Sequence, residues 1–140
     1  MSVYAFIVPG PPTPKGRPRF GRTKTGRVVT RTPKATRTYE SIVRAHALAT
    51  SPPNPLDGPV RVTIAAVLER PKRLMRRKDP DEELAHDRRP DVDNIAKAIL
   101  DALDGWFWRD DGQVAELHCS KVYAAKDGRP MVAVTVEAMK

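Results

Sequence analysis

Fourteen prolines punctuate this 140-residue chain, and most of them fall between segments that carry a clear apolar period. Proline fixes φ and has no N–H to give, so it closes helices and is excluded from central strands. The regular elements must therefore fit between the prolines. Val3 to Val8 (VYAFIV) is a short apolar run ended by Pro9-Gly10-Pro11-Pro12, and its β-branched and aromatic content predicts a well-covered strand. Thr38 to Thr50 reads as a helix: Tyr39, Ile42, Val43 and Ala47 recur at helical spacing, Thr38 is placed to cap it, and Ser51-Pro52-Pro53 stops it. His46 has no metal-type partner at a suitable spacing and reads as an ordinary helical histidine.

A turn at Asp57-Gly58 precedes Val60, Val62, Ile64, Ala66 and Leu68, which alternate with their neighbours and predict a strand. Asp93 to Leu103 reads as a second helix, with Ile95, Ile99, Ala102 and Leu103 on one face and Asp93, Lys97, Asp101 and Asp104 on another. Asp93 is placed to cap its start and Gly105 to end it. Trp106-Phe107-Trp108 then predicts a packed aromatic corner. From Gln113 to Tyr123 a further strand alternates, Ala115, Leu117, Cys119 and Tyr123 opposite Glu116, His118 and Ser120. A hairpin turn at Asp127-Gly128 leads to a last strand marked by Val132, Val134 and Val136. The order β-α-β-α-β-β predicts one α+β domain over residues 1–140, two helices packed on one face of a mixed sheet of four or more strands.

Two segments stand outside this pattern. Residues 9–37 have no sustained period and read as a basic loop or loose hairpin, with Val28-Val29-Thr30 as one short strand. Residues 70–90 are polar and irregular, either a mobile flap or a solvated connector.

The formal charge of +8 is unevenly spread. No acid occurs before Glu40, while Lys15, Arg17, Arg19, Arg22, Lys24, Arg27, Arg31, Lys34 and Arg37 supply nine positive charges, leaving a nearly neutral body of 16 basic and 17 acidic residues. Such a block is either a solvated arm or a surface for a polyanion. Cys119 is the sole cysteine, so no intrachain disulfide forms, and the chain fits a reducing interior. No signal peptide opens it and no apolar run approaches the roughly 20 residues of a membrane span, so a soluble, cytoplasmic protein with no membrane partner is expected.

The chemistry-bearing stretch runs from Arg88 to Lys121. Asp91 and Asp93 are one residue apart, Lys97 follows a helical turn later, and Asp110-Asp111-Gly112 comes after the aromatic corner. Hard cations such as Mg²⁺ take carboxylate oxygens and keep positions for a phosphate. A short helix-turn-strand unit is expected to return Asp111 to the helix start, beside Asp91 and Asp93. Taken singly, each feature has a plainer explanation: Asp93 as a cap, Asp93 and Lys97 as an i,i+4 ion pair, Asp110-Asp111-Gly112 as a turn.

The run Arg89-Pro90-Asp91-Val92-Asp93-Asn94-Ile95-Ala96-Lys97-Ala98, then Asp101-Ala102-Leu103, Trp108, Asp110-Asp111 and Gln113-Val114, resembles the signature of the RusA family of Holliday junction resolvases. The likeness extends more weakly to Ile7–Pro12 and to Lys121. It implies a homodimeric, Mg²⁺-dependent (or Mn²⁺-dependent) endodeoxyribonuclease of bacteria, phages and prophages that resolves four-way DNA junctions by symmetric paired nicks in recombination and repair. By that resemblance Asp91, Asp93 and Asp111 are catalytic metal ligands, Lys97 is the essential lysine, and Asp110 is an additional acid at the metal or behind it. From the charge distribution, with Lys121 added by the weaker part of the likeness, the expected phosphate contacts are Lys15, Arg17, Arg19, Arg22, Arg88, Arg89 and Lys121. The sequence departs from the family pattern in a shorter link at Asp104-Gly105, in the basic segment Lys15–Lys34 and near Pro71–His86.

Three other functions compete. A non-catalytic junction binder needs the basic arm without the acids, a less selective branched-DNA nuclease needs the same site, and an RNA binder accounts for the charge alone. Phe20 or Trp106 is a candidate wedge at the branch point.

Overall fold

In the computed structural model, which describes residues 2–17 and 19–140, the periodic segments form one layer of sheet and one of helices. In chain order they are β1 (Val3–Pro9), β2 (Arg19–Arg22), β3 (Val28–Arg31), α1 (Lys34–Ala47), β4 (Val60–Leu68), β5 (Leu84–Ala85), α2 (Val92–Leu103), β6 (Val114–Tyr123) and β7 (Met131–Ala138). Five strands make a mixed sheet in the order β1-β7-β4-β6-β5, and β2-β3 form a separate two-stranded ribbon. The α+β expectation holds. Among the described residues no helix is long and apolar enough to cross a membrane.

Strand β4 lies at the centre, antiparallel to β7 and parallel to β6. A parallel pair needs a crossover, and α2 supplies it. Its alternation predicts its place: Val60, Val62, Ile64, Ala66 and Leu68 are all buried under the helices. Ile95, Ile99, Ala102 and Leu103 of α2 meet them at 0–1 % exposure. Each large side chain buried this way stabilises the fold by about 1.5–3 kcal/mol.

Among the described residues no helix covers the opposite sheet face. A cross-strand ion triad crosses it, Arg61 Nε donating to Glu116 at 2.6 Å and Nη1 to Glu137 at 3.0 Å. Strand β1 is consequently not well covered: it is an edge strand, and Val3 and Ile7 are 58 % and 53 % exposed while Phe6 and Val8 are buried.

Other boundaries shift for local reasons. Helix α1 starts at Lys34 rather than Thr38, because Pro33 suits an N-cap backbone and no breaker lies between them. Strand β6 bulges at Ala115, where Val60 pairs with Val114 but Arg61 with Glu116. Ala115 therefore leaves the face on which Leu117, Cys119 and Tyr123 sit. Asp127-Gly128 is a turn but not a hairpin, since β4 lies between β6 and β7. The 70–90 segment carries an internal anchor. Arg70, 7 % exposed, donates to the carbonyls of Leu74, Glu82 and Pro80 and folds the segment around its guanidinium.

Candidate active site

The start of α2 gathers the first group of predicted residues. Asp91 occupies the N-cap position in extended conformation, yet its carboxylate makes no capping bond. Asp93 does not cap the helix either; its Oδ1 accepts the N–H of Asn94 at 3.0 Å. Both carboxylates are exposed, and they stand at the positive end of a 12-residue helix, where anions are favoured. The Lys97 ammonium, one turn on, is 62 % exposed and lies 3.8 Å from Asp101.

A cleft of about 390 Å³ opens here, lined by Pro14, Lys15, Arg89, Pro90, Asp91 and Asn94. Its floor is held by Lys121. Strand alternation turns Lys121 to the helix side of β6 with Cys119 and Tyr123, so its ammonium donates to the carbonyls of Arg88 and Pro90, the latter at 2.9 Å. Lys121 is thus a prop for the backbone entering Asp91 rather than a free cation offered to DNA. Arg88 and Arg89 remain exposed.

The far wall is clipped by a contact the sequence reading missed. Lys15 Nζ lies 2.9 Å from both Glu40 of α1 and Asp101 of α2, and its N–H donates to Asn94 at 3.0 Å. Gly16 adds an N–H bond to Thr36 Oγ1, also at 3.0 Å. Partial burial pulls the Lys15 ammonium down, but the two carboxylates outweigh it and hold its pKa above the ordinary lysine value. Lys15 therefore fastens the loop to both helices, and its charge is already matched. Its separation of 25 residues from Glu40 left no local pattern to read. Arg17 and Arg22 are exposed, whereas the side chain of Arg19 lies outside the described part of the structure.

Asp111 is not at this end. Trp108, fully buried, donates Nε1–H to Asp111 Oδ1 at 2.9 Å and so aims the carboxylate toward the other terminus of α2. There Asp104 lies close enough to feel its charge. Partial desolvation, then the charges of Asp111 and Asp110, raise the Asp104 pKa above the usual carboxylate value. Asp110 is turned inward as a cap, accepting the N–H of Gly112 at 2.9 Å. Gln113 completes a capping box, accepting from Arg109 and Asp110 and donating to the carbonyls of Leu56 and Gly58. The Q of the D-D-x-Q motif is thereby a structural stitch.

From Asp91 to Asp104 is the full length of α2, about 20 Å at the helical rise per residue. The expectation that Asp111 folds back beside Asp91 and Asp93 is therefore overturned within one chain. The reason is topological: β6 runs parallel to β4, so it must begin at the end where α2 finishes. Among the described residues, no three His, Cys, Asp or Glu side chains converge on one ion position. Asp91 and Asp93 alone still fit a magnesium ion, which commonly uses one or two carboxylates and leaves its other positions to water and phosphate.

The small mixed-sheet domain thus carries a basic ribbon, an exposed acidic pair at a helix start and a lysine one turn later. The chain matches the family described as Endodeoxyribonuclease RusA over residues 9–137. It is also 33 % identical over 129 residues to the Bacillus subtilis (strain 168) protein named Uncharacterized protein YqaN, covering 89 % of this chain and 90 % of that one. The chain belongs to the RusA family of endodeoxyribonucleases.

Proposed function

We propose that this protein is a Mg²⁺-dependent, structure-selective endonuclease that resolves four-way DNA junctions by paired nicks, acting as a homodimer in recombination and repair. The observation that carries the reading is the pair Asp91 and Asp93, exposed without capping duties beside a cleft walled by Arg89, in a chain of this family. Asp91 makes no capping bond and Asp93 accepts only the adjacent Asn94 N–H, so the exposed pair keeps oxygens available for a metal.

Asp91 and Asp93 would hold the metal, with Mn²⁺ able to replace it. When bound, the metal supplies an activated water and a counter-charge for the scissile phosphate. Lys97 is free to turn from Asp101 to the phosphate and offset negative charge as it develops. Arg88, Arg89, Arg17 and Arg22 hold the flanking backbone. Lys121 keeps the Asp91 backbone in place through its carbonyl contacts.

Asp111 enters through the dimer. Its carboxylate, aimed by Trp108, stands a helix length from Asp91 on its own chain, and a twofold partner can bring it to the other copy's Asp91 and Asp93. Two composite sites then serve two strands.

End-labelled four-way junctions with Mg²⁺ test the function. Wild type gives symmetric nicks, while Asp93→Asn binds without cutting. Binding by both and cutting by neither would mark a structural junction binder, and equal cutting of flaps and single strands a less selective nuclease. Mixing Asp93→Asn with Asp111→Asn tests the composite site. Neither cuts alone, but the mixed dimer holds one intact site and nicks one strand. An inactive mixture, with mixed dimers verified, would place both acids in one chain's site.

A further inference from the structure

Apart from Arg22 as a backbone contact, the β2–β3 ribbon takes no part in the chemistry described above. Its hydrogen bonds are its own: Thr23 donates its N–H to Arg27 at 2.8 Å, Gly26 to Thr23 at 2.9 Å, and Thr23 Oγ1 accepts from Arg27 N–H at 3.1 Å. Gly26 takes φ +83° to close the turn. The pairing of Phe20 with Thr30 and Arg22 with Val28 sets those four side chains on one face. That face carries Phe20 at 78 % exposure and Val28 at 58 %. A large ring held nearly bare beside an apolar neighbour, on a projecting ribbon, contributes almost nothing to the core. Around it the charge is uniformly positive. Arg22, Lys24 and Arg27 flank it, and a recess at its root is lined by Arg31, Lys34 and Arg37.

We infer that this ribbon is the element that selects branched over linear DNA, with Phe20 stacking on a base at the branch point while Arg22, Lys24 and Arg27 hold the adjoining phosphates. Charge complementarity fixes the partner as nucleic acid, since no acid lies within the ribbon. A two-stranded ribbon fits a DNA groove, and an aromatic face stacks on any base without regard to sequence. In an unbroken duplex the ring must first open a base step. At a branch the stack is already interrupted, so the same contact costs less there, and that difference is selectivity. Trp106 is not an equivalent wedge, because it packs edge-on against Phe107 with ring centroids 4.9 Å apart. Lys15 fastens the loop that leads to the ribbon onto both helices, and its backbone N–H bonds the carbonyl of Asn94, which ties the ribbon's root to the start of α2.

The inference rests on the DNA-nuclease reading, and its test is chosen to separate the two. The full chain is bound, without divalent metal, to a four-way junction carrying 2-aminopurine beside the branch and to a linear duplex of the same arms. Wild type is expected to raise the probe's fluorescence in the junction alone and to prefer the junction. Phe20→Ala should abolish the rise and cut the junction-to-duplex affinity ratio about tenfold, and Phe20→Trp should restore both. Replacing Arg22, Lys24 and Arg27 together with glutamine should weaken both DNAs alike. An unchanged ratio and unchanged fluorescence in Phe20→Ala would overturn the inference while leaving cleavage untouched. A Phe20-dependent fluorescence rise from a protein that cuts no DNA would instead remove the nuclease reading and keep the ribbon's role.

Discussion

Lys15 carries a structural duty that its position in a basic block conceals. Nine cations precede the first acid, and of the eight whose side chains are described, seven enter no ion pair. Lys15 alone reaches across to Glu40 and Asp101, with side chains only 13–23 % exposed. It also shares Asp101 with Lys97, so removing it changes what Lys97 has to compete with. Lys15→Met should cost about 1 kcal/mol in urea unfolding, after discounting for the partial exposure of the pair. Lys15→Met combined with Asp101→Asn should be destabilised by less than the sum of the singles, because each removes the same contact. Strict additivity would show that the two groups act independently. Trp108 is the counterpart at the other end of α2, a buried ring whose single N–H fixes where Asp111 points.

Among the elements, the segment from Arg70 to Pro90 shows how one residue can order a polar stretch. Its composition is that of a loop, and its backbone carbonyls would normally face water. Arg70 draws three of them onto one planar guanidinium, Lys126 bonds the carbonyl of Arg76 at 2.7 Å, and β5 adds two residues to the sheet edge beside β6. Arg70→Met removes every donor from a nearly buried position and should destabilise the protein by about 2–4 kcal/mol. Hydrogen exchange is the sharper measurement: the amides of Met75 and Asp79 should lose protection first. Arg70→Lys should not rescue them, since one ammonium cannot reproduce the fork. Retained protection in Arg70→Met would show the segment to be ordered by other contacts.

At the scale of the whole molecule, charge is divided between a basic ribbon with its root and a nearly neutral body that exposes carboxylates at both ends of α2. The ribbon must overcome the repulsion between those carboxylates and DNA before metal is bound. Affinity for a four-way junction should therefore fall on the order of 10³-fold between 50 and 200 mM salt if about six phosphates are contacted. The slope should lessen by about one for each ribbon arginine replaced by glutamine. A flat salt response would show that the basic block is a solvated arm. The open face of the sheet, crossed by the Arg61 ion triad, is not part of this charge division.

Sequence alone determined the parts of this protein that depend on neighbours along the chain. The period of β4 gave its buried face, the apolar stripe of α2 gave the helix side that meets it, and the aromatic run gave a packed corner. The missing acids before Glu40 marked the basic arm, and the D-x-D-N-x-x-K run marked the family. Each is local because a strand repeats every two residues and a helix about every 3.6. What the tertiary structure decided depends on residues far apart in the chain. It set the parallel pairing of β4 with β6, and with it placed Asp111 at the opposite end of α2 from Asp91. It turned Lys121 inward, committed Lys15 to two carboxylates, and left Phe20 bare on its ribbon. No period encodes such contacts. They arise because strand order fixes which ends meet, and because a long side chain binds whatever partner the packed elements bring within its reach.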